Sequence, residues 1–261
     1  MSYKLLEHSV DDRGVAFVTL NRPEIHNAFN DELIQEIIKV FIDIETKENI
    51  RLVVLSGNGR SFCAGADINW MSSMIAYSME ENVSDSKNLA LMFEAINSCS
   101  KPVIGKINGH ALGGGVGVVA VCDYVITHDK AKFGFTETRL GLIPAVISPY
   151  VLNKIGESHA RAWFLSGEMF KGDKALQMGL VHEVTSLENF EQRSTEVITS
   201  HLQAAPKASG LAKSLIFDVL SLNKKDTREH TCKAIAQQRV SDEGQMGMKA
   251  LLEKTKPGWV K

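Results

Sequence analysis

Pro102-Val-Ile-Gly-Lys-Ile107 and Asn108-Gly-His-Ala-Leu-Gly-Gly-Gly-Val-Gly117 lie end to end near the middle of the chain, and their reading decides the fold. The first is short and apolar, opens on proline, and reads as a buried strand. The second contains consecutive glycines at 113, 114 and 115, which surrender more backbone freedom on folding than any other residue type. It leads into an apolar helical stretch, Val116–Val121, and then a further buried strand, Tyr124–Thr127. Such glycines make sense where free N–H groups at a helix start face a ligand oxygen. They also suit a helix packed tightly on neighbouring backbone, and both readings stay open. The spacing Gly115-x-Gly117-x-x-Ala120 imitates a dinucleotide fingerprint and keeps a nicotinamide-dependent oxidoreductase as one hypothesis. That fingerprint, however, should open the first βαβ unit with an acid about twenty residues on, and the nearest acid here is Asp129.

Working outward, Gly14–Leu20 reads as a strand, and Asn30-Asp31 offers a cap to a helix over 31–47. Leu33, Ile34, Ile37, Ile38, Phe41 and Ile44 repeat at three and four along it. Leu52–Leu55 is a second buried strand. A helix follows over 79–99, with Leu89, Met92, Phe93 and Ile96 inward. Strands and helices in alternation imply a mostly parallel sheet inside helical layers. Beyond about residue 185 the pattern is helical only, over Phe190–Ala204, Ala208–Leu222 and Asp226–Val240. Residues 1–200 are therefore expected to form the core and 201–261 an appended helical subdomain.

Two more segments can carry chemistry. In Ser61-Phe-Cys-Ala-Gly-Ala-Asp67, small residues let a ligand approach the backbone, and Asp67 can cap a helix at Ile68–Met74. A plain strand-to-helix turn explains the same residues. In Phe133-Gly-Phe-Thr-Glu137, the glutamate sits between apolar stretches, which would raise its pKa towards neutral and suit it to proton transfer. The alternative is a surface glutamate paired with Arg139.

Composition narrows the class. The chain has 261 residues, 44% of them apolar, with 29 basic against 31 acidic side chains and a net charge of −2. This is ordinary globular material with no basic stripe for a nucleic acid and no apolar run long enough to span a membrane. Cys63, Cys99, Cys122 and Cys232 lack paired spacing and are expected as buried, reduced thiols; no metal-ligand spacing appears. Residues 1–14 lack the pattern of a secretory signal, so a cytoplasmic location is expected.

Taken together, six blocks resemble the enoyl-CoA hydratase/isomerase (crotonase) superfamily in order: Asn21–Pro23 with His26–Ala28, Ser61–Asp67, Asn108–Gly115, Cys122-Asp123, Lys132–Glu137 and Gly179–Val181. The glycines at 113–117 and Leu142–Tyr150 look most like bacterial 3-methylglutaconyl-CoA hydratases. The resemblance implies an α/β crotonase-like (ClpP/crotonase) spiral of β-β-α units, with C-terminal helices that build a homotrimer or a homohexamer of stacked trimers. It implies an acyl-CoA thioester as substrate and no further cofactor. Its carbonyl oxygen would accept hydrogen bonds from the backbone N–H groups of Ala66 and Gly114, with Gly113 beside them and Glu137 as the acid. His26, Ala28, Ala64, Asp67 and Ile68 would line the CoA path, and Arg22 or Lys101 could meet its phosphates.

One departure matters. The family's usual first glutamate falls on Gly117. With Glu137 alone, hydration, 3-enoyl to 2-enoyl isomerisation and non-catalytic acyl-CoA binding all stay open, and Glu94, Asp123 and Glu157 are alternative acids. Met71, Met74 and Ile75, within Trp70–Tyr77, could wall an acyl tail or simply pack. Arg139, Lys154 or a neighbouring subunit could bind a distal carboxylate. RNA binding through the first helix is not expected, because acids outnumber Lys39 and Lys47 there.

Overall fold

The computed structural model describes residues 3–260. The strands are β1 (Leu6–Val10), β2 (Val15–Leu20), β3 (Leu52–Gly57), β4 (Ser61–Cys63), β5 (Val103–Ile107), β6 (His110–Leu112), β7 (Tyr124–His128), β8 (Lys132–Gly134), β9 (Met169–Lys171) and β10 (Glu183–Thr185). The helices are α1 (Asp31–Glu45), α2 (Ile68–Met74), α3 (Met79–Asn97), α4 (Gly114–Val121), α5 (Ser148–Ser166), α6 (Gly172–Gln177), α7 (Phe190–His201), α8 (Pro206–Ser221), α9 (Lys224–Val240) and α10 (Asp242–Leu252).

Two sheets form. The larger has the order β1-β2-β3-β5-β7-β10 and is parallel apart from β1; the smaller has the order β4-β6-β8-β9 and is parallel apart from β9. In each successive pair, β3–β4, β5–β6 and β7–β8, the first strand joins the large sheet and the second the small one, and helix follows. This is the expected β-β-α spiral. The second sheet escapes a reading by periodicity because its strands are only three residues long.

The centre of the large sheet is buried on both faces, which is why β3 opens on the apolar run Leu52–Leu55. Val53 and Leu55 face the main core with α1, α3, α4 and α5, whereas Leu52 and Val54 face Phe190, Val197 and Ile198 of α7. Asn30 caps α1 through Leu33 N–H at 3.0 Å, and Ser78 forms a capping box with Glu81 on α3. The observed helices stop at Glu45 and Asn97, short of the expected 47 and 99.

At the C-terminal end, α8 is tied to the core by the Lys213–Asp123 ion pair at 2.8 Å, and Glu243 of α10 accepts from the first N–H groups of α8. Helix α9 buries none of its residues, and Leu211, Ile216, Phe217, Leu220, Leu251 and Leu252 stand exposed. Three cysteines are buried as expected, but Cys232, on the unburied α9, is exposed. Among the described residues no helix is long and apolar enough to cross a membrane.

Candidate active site

Three bends meet at the C-terminal ends of the small sheet's parallel strands. The first is anchored from the N-terminal side. After a short 3-10 turn, His26 and Asn27 adopt left-handed conformations with φ of 57° and 55°. Asn27 is fully buried; its side chain donates to Asn58 O and Ser61 O, each at 2.9 Å, and accepts from Arg22 N–H at 2.8 Å. The chain then lies along the 61–67 bend: Phe29 N–H donates to Gly65 O at 2.7 Å, Asp67 N–H donates to Phe29 O at 2.8 Å, and Ala66 bridges to Phe29. In that pairing the N–H of Ala66 points away from Phe29. It finds no acceptor among the described residues.

The second bend closes on the first. Gly65 has a φ of +90°, and a Cβ there would stand 3.0 Å from Leu112 O and 3.8 Å from Gly113 Cα. Gly113, with a φ of +50°, donates its N–H to Gly134 O at 2.8 Å and initiates α4. Gly114 is the first residue of that helix, so its N–H has no intrahelical acceptor, and none exists elsewhere among the described residues. A Cβ on Gly114 would lie 3.3 Å from the Phe29 ring, and one on Gly115 would strike the carbonyl of Cys63. The glycines therefore do both things asked of them: they admit close packing, and they leave free amides on touching bends. Gly115 and Gly117 are enclosed by this packing, and Gly117 N–H is engaged to Gly113 O, so the dinucleotide spacing marks no phosphate cradle.

The third bend carries Glu137, in a 3-10 turn over Thr136–Leu140. A Cβ on Gly113 would lie 3.5 Å from Glu137 Oε1 and 3.7 Å from its Cδ, so the carboxyl lies directly over the second bend. Its Oε2 is buried without a hydrogen-bond partner among the described residues. Burial raises the pKa of this carboxyl above the ordinary range, and its own backbone amide offsets that only in part. No cation among the described residues compensates. The expected alternative, a pair with Arg139, is not formed: that guanidinium is turned to Ser166 O at 3.2 Å.

The position of the family's other acid is filled. A Cβ on Gly117 would overlap Ile147 Cγ2 and stand 2.8 Å from Cε1 and Cζ of the buried Phe93 ring. The other acids weighed are engaged or remote. Asp123 accepts from Val103 N–H and Lys213, Glu157 is exposed and paired with Arg161, and Glu94 is exposed on α3.

The remaining candidates are placed as follows. Ala28 is buried, its carbonyl accepting from Arg22 at 2.5 Å, while Ala64 N–H donates to His26 O at 3.0 Å. Asp67 caps α2 through Asn69 N–H at 2.8 Å, and its other oxygen pairs with Arg22 at 2.9 Å. The Asp67 carboxylate and the Arg22 guanidinium thus serve the scaffold, and Arg22 is no free cation for a phosphate. Lys101 is no better placed: it bonds Glu45 O at the far end of β5 from these bends. Sequence reasoning missed Arg60, an exposed guanidinium 3.3 Å from the ring of His26, whose other nitrogen lies 3.0 Å from Ser61 Oγ. Ile68 is 83% exposed and Ile75 87%, whereas Met71 and Met74 are half-buried. Lys154 is turned away, to Cys122 O at 2.8 Å.

Comparison with known proteins places the chain in a family. A profile described as enoyl-CoA hydratase/isomerase matches residues 11–261. A short-chain-enoyl-CoA hydratase of Clostridium acetobutylicum is 33% identical over 77% of this chain and 77% of its own length. A 2,3-dehydroadipyl-CoA hydratase of Escherichia coli is 30% identical over 77% and 78%. The crystal structure of an enoyl-CoA hydratase from Shewanella pealeana superposes with a TM-score of 0.93 at 34% identity, over 98% of this chain and 96% of that one. The chain belongs to the enoyl-CoA hydratase/isomerase family and has its crotonase fold.

Proposed function

We propose that the protein hydrates the 2,3 double bond of an enoyl-CoA thioester, with Ala66 and Gly114 N–H groups binding the thioester oxygen and Glu137 moving the proton. The observation that carries this reading is the Glu137 carboxyl over Gly113, one oxygen buried and unpartnered beside two amides that lack acceptors. Water addition passes through a thioester enolate, whose negative oxygen fixed N–H dipoles stabilise; removing one such donor costs about 10²–10³ in rate. A carboxyl with a raised pKa can take a proton from water and return it to the α-carbon near neutral pH.

In this reading the CoA passes the His26–Ala28 turn, Ala64 and Ile68, and Arg60 meets its phosphates. A branched substrate such as 3-methylglutaconyl-CoA fits best the Leu142–Tyr150 segment that marks the likeness to such hydratases. The relative named for 2,3-dehydroadipyl-CoA also handles an acyl chain that ends in a carboxylate. Apolar side chains left exposed on α8 and α10 support a homotrimer, alone or stacked as a hexamer. The reaction needs no cofactor besides its substrate.

A second reading has an observation of its own. Ile147 and Phe93 fill the place of a second acid, and isomerisation of a 3-enoyl to a 2-enoyl thioester needs only one carboxylate. Side-by-side turnover of 3-methylglutaconyl-CoA, crotonyl-CoA and a 3-enoyl-CoA by wild type and Glu137→Gln tests both. A hydroxyacyl product lost in Glu137→Gln is expected; a migrated double bond would favour isomerisation. Inertness of both proteins while CoA still binds would remove the enzymatic reading.

A further inference from the structure

Glu137 sits on a short turn exposed at Arg139 and Leu140, yet its carboxyl is held inward, and the turn's backbone hydrogen bonds do not explain this. Leu142 N–H donates to Glu137 O at 3.0 Å and Gly141 N–H to Thr138 O at 3.3 Å, which close the turn without fixing it to anything else. Two side chains supply that attachment. Thr138 Oγ1 donates to Phe164 O at 2.8 Å, and Arg139 Nε donates to Ser166 O at 3.2 Å. Both acceptors belong to the last turn of α5, where carbonyls lack helical partners and carry partial negative charge that favours a cation. Gly167 makes the approach possible: it ends α5 in a left-handed conformation with a φ of +59°, and a Cβ there would stand 2.8 Å from Arg139 Cγ and 2.9 Å from Thr138 Oγ1.

The clamp has a chemical consequence. Arg139 is the nearest cation to Glu137 in sequence, and a pair between them would hold the carboxylate ionised and pinned. With the guanidinium drawn to Ser166 O, the Glu137 carboxyl meets no positive charge and keeps a buried oxygen free for a reacting group. We propose that Thr138 and Arg139 are positioning residues, which anchor the Glu137 turn to the C-terminal carbonyls of α5 and keep the guanidinium off the Glu137 carboxyl. The proposal rests on Glu137 being the acid of the reaction.

The test compares wild type with Thr138→Val, Thr138→Ser, Arg139→Ala and Glu137→Gln, reading kcat, KM, the pH profile of kcat/KM and Tm. Thr138→Val keeps the shape and removes the donor. It is expected to lower kcat roughly tenfold to a hundredfold with KM little changed, as misplacement of a reacting group does. Its acid limb should move to lower pH, because a loosened turn lets water reach the carboxyl. Arg139→Ala should act the same way, and Thr138→Ser should restore both readouts. Wild-type kcat and an unmoved limb in Thr138→Val and Arg139→Ala would overturn the proposal, even if Tm fell, since the contacts would then serve only stability. Wild-type turnover by Glu137→Gln would instead overturn the assignment of the acid.

Discussion

Gly117→Ala should destabilise this protein, against the ordinary rule for a glycine inside a helix. On a helix with free space, that exchange stabilises by about 0.5–1 kcal/mol, because alanine loses less backbone freedom. At 117 the new Cβ would stand 2.8 Å from two carbons of the Phe93 ring and nearer still to Ile147 Cγ2. Phe93 is 0% exposed and Ile147 2%, so neither side chain can swing into solvent, and α4 or the 141–147 loop must shift. Overpacking of this kind costs about 1–3 kcal/mol. Contacts this short belong at the top of that range, which leaves a net loss of about 2 kcal/mol after the helix gain. For a chain of this size that is a fall in Tm of roughly 4–8 °C, measurable by thermal or urea unfolding followed by circular dichroism. In an Ile147→Ala background the nearest obstacle is gone, so the same exchange should cost about 1 kcal/mol less. A Gly117→Ala protein as stable as wild type would refute the claim that this position is closed to a side chain. The claim that a second acid has no room there would fall with it.

Asn27→Ala should cost about 4 kcal/mol or more by urea unfolding, since it leaves Arg22 N–H, Asn58 O and Ser61 O unpartnered and forces alanine into a left-handed backbone. Asn27→Gly relieves only the backbone part and should recover the smaller share of that loss. Arg22→Ala strands the nearly buried Asp67 carboxylate and should cost about 3–5 kcal/mol, with Asp67→Asn in the same background recovering part. Glu137→Gln should make the protein more stable at neutral pH. Burial raises the folded-state pKa of Glu137, so the folded chain holds that proton more tightly than the unfolded one. Stability from this group is therefore present in acid and declines as pH rises from the ordinary carboxyl range through the raised value. Tm measured against pH should show the two proteins converging in acid and diverging towards neutrality; parallel curves would contradict the burial of that carboxyl.

The long elements were legible because each has one strong signal: α1 its three-and-four spacing with the Asn30 cap, and β3, β5 and β7 their short, mostly apolar and β-branched runs. The two glycine-bearing bends and Glu137 were legible as separate segments. Their meeting was not, because it depends on the four-stranded sheet, whose strands are too short for any period to show. Arg60 was passed over although it directly precedes the Ser61–Asp67 block, because its proximity to His26 arises only when the 26–29 turn lies along the 61–67 bend. The Arg22 reading erred for the opposite reason. A guanidinium beside a recognised block suggested a phosphate ligand, but a carboxylate 45 positions on claims it in the fold. The Glu137–Arg139 pair failed because a carbonyl 27 positions on, Ser166 O at the end of α5, claims the guanidinium in the fold.

A site with one acid must run its proton cycle through a single carboxyl, and the surroundings of Glu137 bear on how it can. An acid that only stabilised charge would gain from a cation nearby, whereas one that must both accept and return a proton needs its two protonation states close in free energy. Burial disfavours the charged form, and here neither Arg139 nor Lys154 approaches to reverse that; each is held by a backbone carbonyl near the end of a helix, Ser166 O on α5 and Cys122 O after α4. The same packing that excludes a second acid at 117, through Phe93 and Ile147, also anchors the start of α5. The far end of that helix supplies the carbonyls that draw Arg139 away. Filling the 117 position and leaving Glu137 uncompensated are thus two results of one placement of α5. A substitution that let α5 slide would alter both together: space would open at 117 and a cation would come free beside Glu137.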